Sequence, residues 1–255
     1  MKHLKKLKLS RKNLIFVMLL SFLTISITSC SSDDDDPETL EEKEERLYNE
    51  YVSEEMEANL LAMGLKINRG INPPNIEGYY LFRPERIATT VPNDGLANYI
   101  DYYKQYHGQK DMNVSLLGYQ QNATKKSKYV GDGAFICGEG NKFSIFFTEE
   151  GEGEDKGISY KSKHLTVFSG ELVKDTDNQI TGIKNCQHVF YMVDNGGATE
   201  ILIPNNTGRL FLDKGGITKV IPKALFDAQA ELYNSGNKGK AYSATEEGLL
   251  LGNIN

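Results

Sequence analysis

Residues Tyr129–Thr148 read YVGDGAFICGEGNKFSIFFT, two apolar runs separated by the turn-forming sequence Gly138-Glu139-Gly140-Asn141. Phe143, Ile145 and Phe147 alternate with polar neighbours, and only Phe146 breaks the alternation. A period of two is typical of a strand that buries one face. Glycine, asparagine and acidic residues between two such runs favour a tight turn. The stretch therefore predicts an antiparallel β-hairpin, from which the fold prediction extends in both directions.

The same combination of apolar runs and turns recurs on both sides of this hairpin. Besides Tyr129–Cys137 and Lys142–Thr148, strands are predicted at Gly78–Phe82, Asn113–Gln121, Ile158–Phe168, Ile180–Asp194 and Gly208–Asp213, with Gly170–Lys174 continuing Ile158–Phe168. The remaining turns are predicted at Glu150–Asp155, Asp175–Asn178 and Asn195–Gly197. Evenly spaced strands with such turns indicate a meander of hairpins that closes as a barrel or a sandwich. The predicted fold is therefore mainly β and antiparallel.

Three segments have a helical pattern instead. Glu38–Lys66 is rich in glutamate, with neither glycine nor proline before Gly64, and predicts a helical stalk that is partly docked or free. In Leu96–His107 the apolar and aromatic residues recur at helical spacing, which predicts a helix inserted after the first strand. Pro222–Ser235 predicts a C-terminal helix that packs on the sheet. The final apolar segment, Leu249–Leu251, is expected to add an edge strand or to fray.

The N-terminus has the organisation of an export signal. Six basic residues precede a mostly apolar run from Leu14 to Ile27. Thr28, Ser29 and Cys30 follow this run directly. About fourteen apolar residues are too few for a permanent membrane span, which needs roughly 20, but they suit the apolar region of a signal peptide. An N-terminal transmembrane helix with an incidental cysteine is the competing interpretation. The sequence ending in Cys30 resembles the lipobox of bacterial lipoproteins, which implies cleavage before Cys30 and acylation of that residue.

The residues that follow the cysteine are an unusually acidic run. Ser31, Ser32, Asp33, Asp34, Asp35 and Asp36 resemble the export signal of surface-exposed Bacteroidota lipoproteins. That resemblance implies an outer-membrane protein that faces the cell exterior and whose membrane partner is lipid, through acylated Cys30. An acidic, solvated spacer is the alternative interpretation of the same run. The predicted domains are a signal peptide (1–29), an acidic tether with helical stalk (30–70) and a β-barrel domain (71–255).

Charge and cysteine content restrict the possible partners and chemistry. Removal of residues 1–29 takes away six of the 29 basic residues and no acidic residue, so the formal charge changes from −6 to −12. Thirteen acidic residues lie between Asp33 and Glu57, whereas the chain from Ala58 onward is nearly neutral. The acidity therefore belongs to the tether, and no basic cluster predicts nucleic-acid binding. Cys137 and Cys186 could form one bridge, but both lie in apolar runs and are favoured as buried thiols.

A meander of hairpins with a C-terminal helix resembles the lipocalin-like (calycin) proteins, including small-barrel lipoproteins of Bacteroidota. In that family a Gly-x-Trp motif lies on the first strand and a late arginine packs over the tryptophan. Here Gly78-Tyr79-Tyr80 occupies the first place, with tyrosine for tryptophan, and Arg209 is the candidate for the second. The resemblance implies that Gly78, Tyr79 and Arg209 are structural residues at the closed end, and that the barrel mouth could hold a small, apolar ligand.

Candidate metal sites are weaker. If the turn is centred on Asp177, His164, Cys186 and His188 share one face, a combination that could bind zinc, but no carboxylate accompanies it. Asp175-x-Asp177-x-Gln179 resembles the start of a calcium loop, but it lacks the glycine and glutamate that the loop requires, and a hairpin turn explains it better. No metal and no cofactor are predicted.

Tyr99, Tyr102, Tyr103 and Tyr106 give the predicted Leu96–His107 helix aromatic rings on more than one face. Rings left exposed there could stack on glycans, since aromatic faces offer a large contact area; packing in the core is the simpler interpretation. The leading prediction is a non-catalytic protein that binds a small ligand in or at the mouth of the barrel. The alternative is a glycan- or protein-interaction module with a filled barrel, and a carboxylate-dependent hydrolase is a third hypothesis that no motif recommends.

Overall fold

The computed structural model describes residues 37–95, 99–121, 126–155 and 158–235. Cys30, the Ser31–Asp36 run and Leu249–Leu251 lie outside the described residues. From Thr39 onward the chain forms one compact unit. Within the described ranges, no helix is long and apolar enough to cross a membrane.

The predicted antiparallel sheet is confirmed. Its strands are β1 (Gly78–Phe82), β2 (Pro84–Thr89), β3 (Tyr102–Lys110), β4 (Asn113–Gln121), β5 (Lys126–Glu139), β6 (Lys142–Asp155), β7 (Ile158–Lys174), β8 (Ile180–Asp194), β9 (Thr207–Asp213) and β10 (Ile217–Val220). The helices are α1 (Leu40–Tyr51), α2 (Glu54–Ala62) and α3 (Lys223–Asn234). Each strand is antiparallel to its neighbours.

Eight of these strands close into a barrel. The sheet runs from β1 through β3, β4, β5, β6 and β7 to β8, and β10 pairs with both β8 and β1, which completes the ring. Strand β9 pairs with residues 187–192 of β8, and β2 pairs with the other edge of β9. The connections that precede β3 and β9, described at residues 90–95, 99–101 and 195–206, lie at the end where these two strands begin. We call this end of the barrel the mouth.

The helix predicted at Leu96–His107 is wrong. Tyr102–Lys110 is strand β3, paired with β1 on one side and β4 on the other, and residues 96–98 lie outside the described ranges. The spacing of the aromatic residues fits both the helical period of 3.6 residues and the strand period of two. In the structure every second side chain, Tyr102, Lys104 and Tyr106, points into the barrel interior. Aromatic side chains favour the pleated, half-buried surface of a strand, and two pairing neighbours decide in its favour.

The N-terminal segment is two helices, docked on the outer wall of the barrel. Ser53 caps α2 by accepting a hydrogen bond from the Met56 backbone, so the predicted single helix is broken after Tyr51. Tyr48 is 2% exposed and its ring meets Phe146 edge-on at 5.4 Å. The helices therefore belong to the same compact unit as the barrel, although the sequence placed the start of that domain at residue 71.

The C-terminal helix is confirmed, with Pro222 directly before it. Phe226 is buried against Tyr79 and Tyr119, with ring centroids 5.3 and 5.5 Å apart. Tyr103 also belongs to this outer cluster. The helix therefore covers the outward face of β1, β3 and β4.

The barrel interior below the mouth is filled rather than hollow. Its core is largely aromatic and includes Tyr80, Phe82, Tyr106, Phe143 and Phe168. Cys137 and Cys186 are buried free thiols, as the sequence favoured. At the end away from the mouth, the Asp175 carboxylate accepts hydrogen bonds from the backbones of Asp177 and Gln179, which confirms the hairpin turn. The loop predicted at Glu150–Asp155 is instead strand, because β6 and β7 pair as far as Asp155 and Ile158.

Candidate ligand-binding site

A pocket of about 210 Å³ opens at the mouth of the barrel. Its lining comes from seven strands and from the connection before β3, and comprises Pro84, Tyr99, Tyr102, Gln120, Tyr129, Thr166, His188, Phe190, Arg209 and Phe211. A dry cavity of about 150 Å³ suffices for benzene. The pocket can therefore hold one small ring system or a short chain.

Aromatic rings form most of the pocket wall. Tyr99 meets Phe211 edge-on at 4.7 Å, and Tyr102 lies 4.8 Å from Tyr129. His188 stacks on Phe168 at 4.3 Å. Burial, and then the charge of Lys104, hold the pKa of His188 well below its ordinary value, so the imidazole is neutral at pH 7. The wall is therefore apolar and rigid, with polar atoms at the tips of its rings.

An ion-pair cluster fastens the rim of the mouth. Arg209 binds Asp94 through two hydrogen bonds of 2.9 Å, and Arg86 approaches the same carboxylate at 2.7 Å. Thr89 also donates to Asp94, at 2.8 Å. The hydrogen bond from Arg209 is the main cause that lowers the pKa of Asp94 to about 2. Since Asp94 lies in the connection after β2, this cluster holds that connection against β9.

Lys104 does not line the pocket but lies beneath it, two residues along β3 from Tyr102, and we call the region around it the floor. Its side chain lies in the barrel interior, 1% exposed, and its Nζ is 3.3 Å from the ring centroid of Phe168, 4.3 Å from that of Phe82 and 4.9 Å from that of Tyr102. Among the described residues, Nζ has no hydrogen-bond partner. Burial lowers the pKa of Lys104 to about 7. A cation in such a cage is stabilised mainly by the faces of the rings.

Two further polar groups, the Tyr102 hydroxyl and the Glu149 carboxylate, lie close enough to interact electrostatically. The hydroxyl of Tyr102 is buried and, in the part of the chain that the structure describes, makes no hydrogen bond. Glu149 on β6 is paired with His164 on β7 through Oε2. Gly118, opposite Lys104 on β4, leaves room for Tyr102, since a Cβ there would lie 2.3 Å from the tyrosine ring.

The predicted tyrosine contacts are divided between two surfaces. Tyr99 and Tyr102 line the pocket, whereas Tyr106 lies deeper in the core and Tyr103 lies under α3. Tyr102, Tyr103 and Tyr106 are each less than 5% exposed. An outer glycan-binding face made of these rings is therefore contradicted by their burial, and two of them contribute to an internal site instead.

The three predicted closing residues do not act together. Gly78 lies at the end of β1 away from the mouth, beside an open cavity of about 570 Å³ that Tyr80 also lines. Tyr79 points outward to Phe226. Arg209 lies at the mouth, bound to Asp94, and so does not pack over the Gly78-Tyr79-Tyr80 motif.

The predicted strand register of the possible zinc cluster is shifted by two residues. Phe168 pairs with His188 rather than with Cys186. His164 is engaged by Glu149, and Cys186 lies in the filled interior. Within the described ranges, no group of three histidine, cysteine or acidic side chains is placed to hold a metal ion.

Sequence reasoning missed Lys104, the residue on which the floor depends. Its signal is the alternation in Tyr102-Tyr103-Lys104-Gln105-Tyr106, which under a period of two places the lysine between two inward tyrosines. The helical interpretation of the same segment concealed it. Comparisons of this chain with protein-family models, with curated proteins and with solved structures found no match.

Proposed function

We propose that this protein is a lipid-anchored, surface-exposed binding protein that holds a small, mainly apolar ligand at the mouth of its barrel, without catalysing a reaction. The observation that carries the proposal is the mouth pocket itself. Its aromatic walls and few inward polar atoms are the composition expected of a small-molecule site. The interior beneath is filled, so the ligand is held at the mouth and not along the barrel axis.

The lipid anchor and the cellular location in this proposal are inferred from the N-terminal sequence. Two or three acyl chains on Cys30 would give stable membrane attachment, since each buried CH₂ contributes about 0.8 kcal/mol. The Ser31–Asp36 run would direct the protein to the outer face of the outer membrane. Residues 37–39 then lead directly into α1, which is docked on the barrel. The binding domain would therefore sit close to the lipid surface.

A blocking variant tests the pocket. Thr166 is 3% exposed and lines the pocket, so Thr166→Phe should place a ring in the space that the ligand needs. The probe is 2-naphthamide, a neutral bicyclic molecule, titrated by isothermal calorimetry. We expect measurable binding to the parent protein and at least tenfold weaker binding to Thr166→Phe.

The matched control is Thr181→Phe, because Thr181 is exposed on β8 near the other end of the barrel. This variant should bind the probe like the parent protein. Equal loss in both variants, or equal binding in all three proteins, would contradict a ligand site at the mouth.

A further inference from the structure

Two buried hydrogen-bond donors on the inward face of β3, one in the pocket lining and one beneath it, lack an acceptor. The Nζ of Lys104 and the hydroxyl of Tyr102 are both without a hydrogen-bond partner among residues that the structure describes. Both side chains are 1% exposed. Buried polar groups are nearly always paired, and a specific exception requires an explanation. A missing ligand atom is one explanation, since the ring of Tyr102 also lines the pocket.

The described acidic groups nearby are already engaged. Asp213 accepts hydrogen bonds from the Arg83 and Gly215 backbones and from the Thr218 hydroxyl, and it also faces the Arg83 guanidinium. Glu149, whose charge reaches the Tyr102 hydroxyl, is paired with His164 through Oε2, and its buried Oε1 has no hydrogen-bond partner among the described residues. Neither carboxylate forms an ion pair with Lys104 within the described ranges. The lysine therefore has aromatic faces around it and no counter-ion in contact.

The rim also carries two arginines that share one acidic partner. Arg86 and Arg209 share the single carboxylate of Asp94, and Arg209 lines the pocket. The charge of Lys104 also acts on the pocket wall. It is the second largest cause of the lowered pKa of His188, after the burial of that histidine. Rim and floor therefore favour the same sign of charge in a ligand.

We infer that the pocket selects a small ring-containing ligand that carries an anionic group, a carboxylate or a sulfonate, with Lys104 as its counter-charge and the Tyr102 hydroxyl as its hydrogen-bond donor. The inference rests on the proposed binding function and specifies the ligand class for the same site. The ring system of the ligand lies between the aromatic walls, and the acid points toward the floor. A hydrogen bond to a charged group is stronger than one between neutral groups, so the acid contributes selectivity as well as affinity.

A pair of probes that differ only in charge tests this inference. 2-Naphthoate and 2-naphthamide have the same rings and nearly the same shape, so a difference in affinity reports the charge. Calorimetric titrations at pH 6.5 keep Lys104 mainly protonated, since its pKa is about 7. We expect the parent protein to bind naphthoate at least tenfold more tightly than naphthamide.

Two variants assign that preference to the floor. Lys104→Met nearly keeps the length of the side chain and removes its charge, and it should reduce the naphthoate preference to less than about threefold. Tyr102→Phe should weaken naphthoate binding roughly tenfold, as expected for a lost hydrogen bond to a charged group. Lys161→Met, at an exposed lysine of β7, is the matched control and should retain the full preference.

The outcomes separate the two claims. If naphthamide binds as tightly as naphthoate and both are blocked by Thr166→Phe, the anion inference is overturned while the binding function stands. A preference that survives in Lys104→Met would overturn the role of Lys104. If neither probe shows binding that Thr166→Phe blocks, the binding function and the inference fail together. A cooperative urea unfolding transition establishes that Lys104→Met is folded.

Discussion

Lys104 occupies a position in the barrel core that an apolar side chain would fill at lower free energy. Burial of an ammonium group without an anion costs several kcal/mol, and a well-packed apolar replacement is commonly neutral or stabilising. The aromatic faces of Phe82 and Phe168 offset part of this cost. A residue that destabilises the apo protein but faces a ligand site is typical of a functional position.

The first prediction concerns the stability of Lys104→Met. Burial lowers the pKa of Lys104 from 10.5 to about 7, so above pH 7 the unfolded chain binds more protons at this residue than the folded chain. The free energy of unfolding of the parent protein should therefore rise with pH from about 7, while the full penalty is present below pH 7. Lys104→Met should remove this slope and stabilise the protein by about 2–5 kcal/mol at pH 6.

Urea unfolding at pH 6, 7 and 8.5 measures this difference. The other titratable groups around Lys104 are Tyr102 and Tyr106 on β3, Cys186 and His188 on β8, and Asp213 on β9. The pKa of His188 is also lowered by burial, so its contribution to the slope lies below pH 6.5 and should persist in the variant. A variant that is less stable than the parent at pH 6 would show that the lysine is paired in solution.

At the scale of the elements, sequence patterns predicted most of the strands and misassigned one. Asn113–Gln121 and Ile180–Asp194 have the predicted bounds, because alternating or apolar runs there end in turn residues. β3 was missed because its tyrosines fit periods of both two and 3.6 residues, and strand pairing settles the choice. β2 and β10 are short, and β2 begins at a proline, so neither has a local signal that stands out.

The N-terminal helices illustrate a second limit of sequence reasoning. The residues that these helices bury, among them Tyr48, Val52 and Leu60, carry no sequence signal for their docking partner, which is the outer face of β5–β8. Contacts between residues distant in sequence fix the position of the first helix. Arg69 binds Glu44 and lies over the ring of Tyr48, 3.7 Å from its centroid. The helices are therefore part of the folded domain and do not serve as a free stalk.

The second prediction tests this docking. Tyr48→Ala should reduce the free energy of unfolding by about 3–5 kcal/mol, because it removes a buried aromatic ring and leaves a cavity against Phe146. Leu61→Ala is the control on the neighbouring helix, since Leu61 is 51% exposed and should change stability by less than about 0.5 kcal/mol. Chemical denaturation compares the two. Equal, small effects would mean that α1 detaches from the barrel in solution.

At the scale of the whole molecule, the third prediction concerns attachment to the membrane. Cys30→Ala should abolish metabolic labelling with a radioactive fatty acid and should release the protein from the membrane fraction. Labelling and fractionation like those of the parent protein would contradict a lipid anchor at Cys30.

The fourth prediction distinguishes the proposed export signal from the proposed lipid anchor. Replacement of Asp33–Asp36 by alanine should leave acylation intact but remove the protein from the pool that external protease can cleave on whole cells. If external protease cleaves the variant as much as the parent protein, the acidic run is a spacer and not an export signal. Replacement of Glu54 and Glu55 by alanine is a control, because these residues are acidic and exposed but lie within α2.

The sequence predicted the barrel, and a ligand at its mouth stays a prediction, but the residues that form the pocket could not be predicted. Residues from β2, β3, β4, β5, β7, β8 and β9 meet there, and that convergence depends on register. A shift of two residues between β7 and β8 was enough to misplace His188 relative to Phe168. Whether the interior was filled depended on the volumes of side chains brought together by eight strands, for which a single sequence has no local signal.

Native mass spectrometry of the full-length protein, purified in detergent from the organism that produces it, tests the central claim most directly. The account predicts a mass above that of the acylated chain, lost on denaturation and absent from Thr166→Phe, because the parent protein carries its ligand in the mouth pocket. The mass lost should correspond to a small molecule with an acidic group. A parent protein with the bare acylated mass, or an excess that Thr166→Phe retains, would contradict the account.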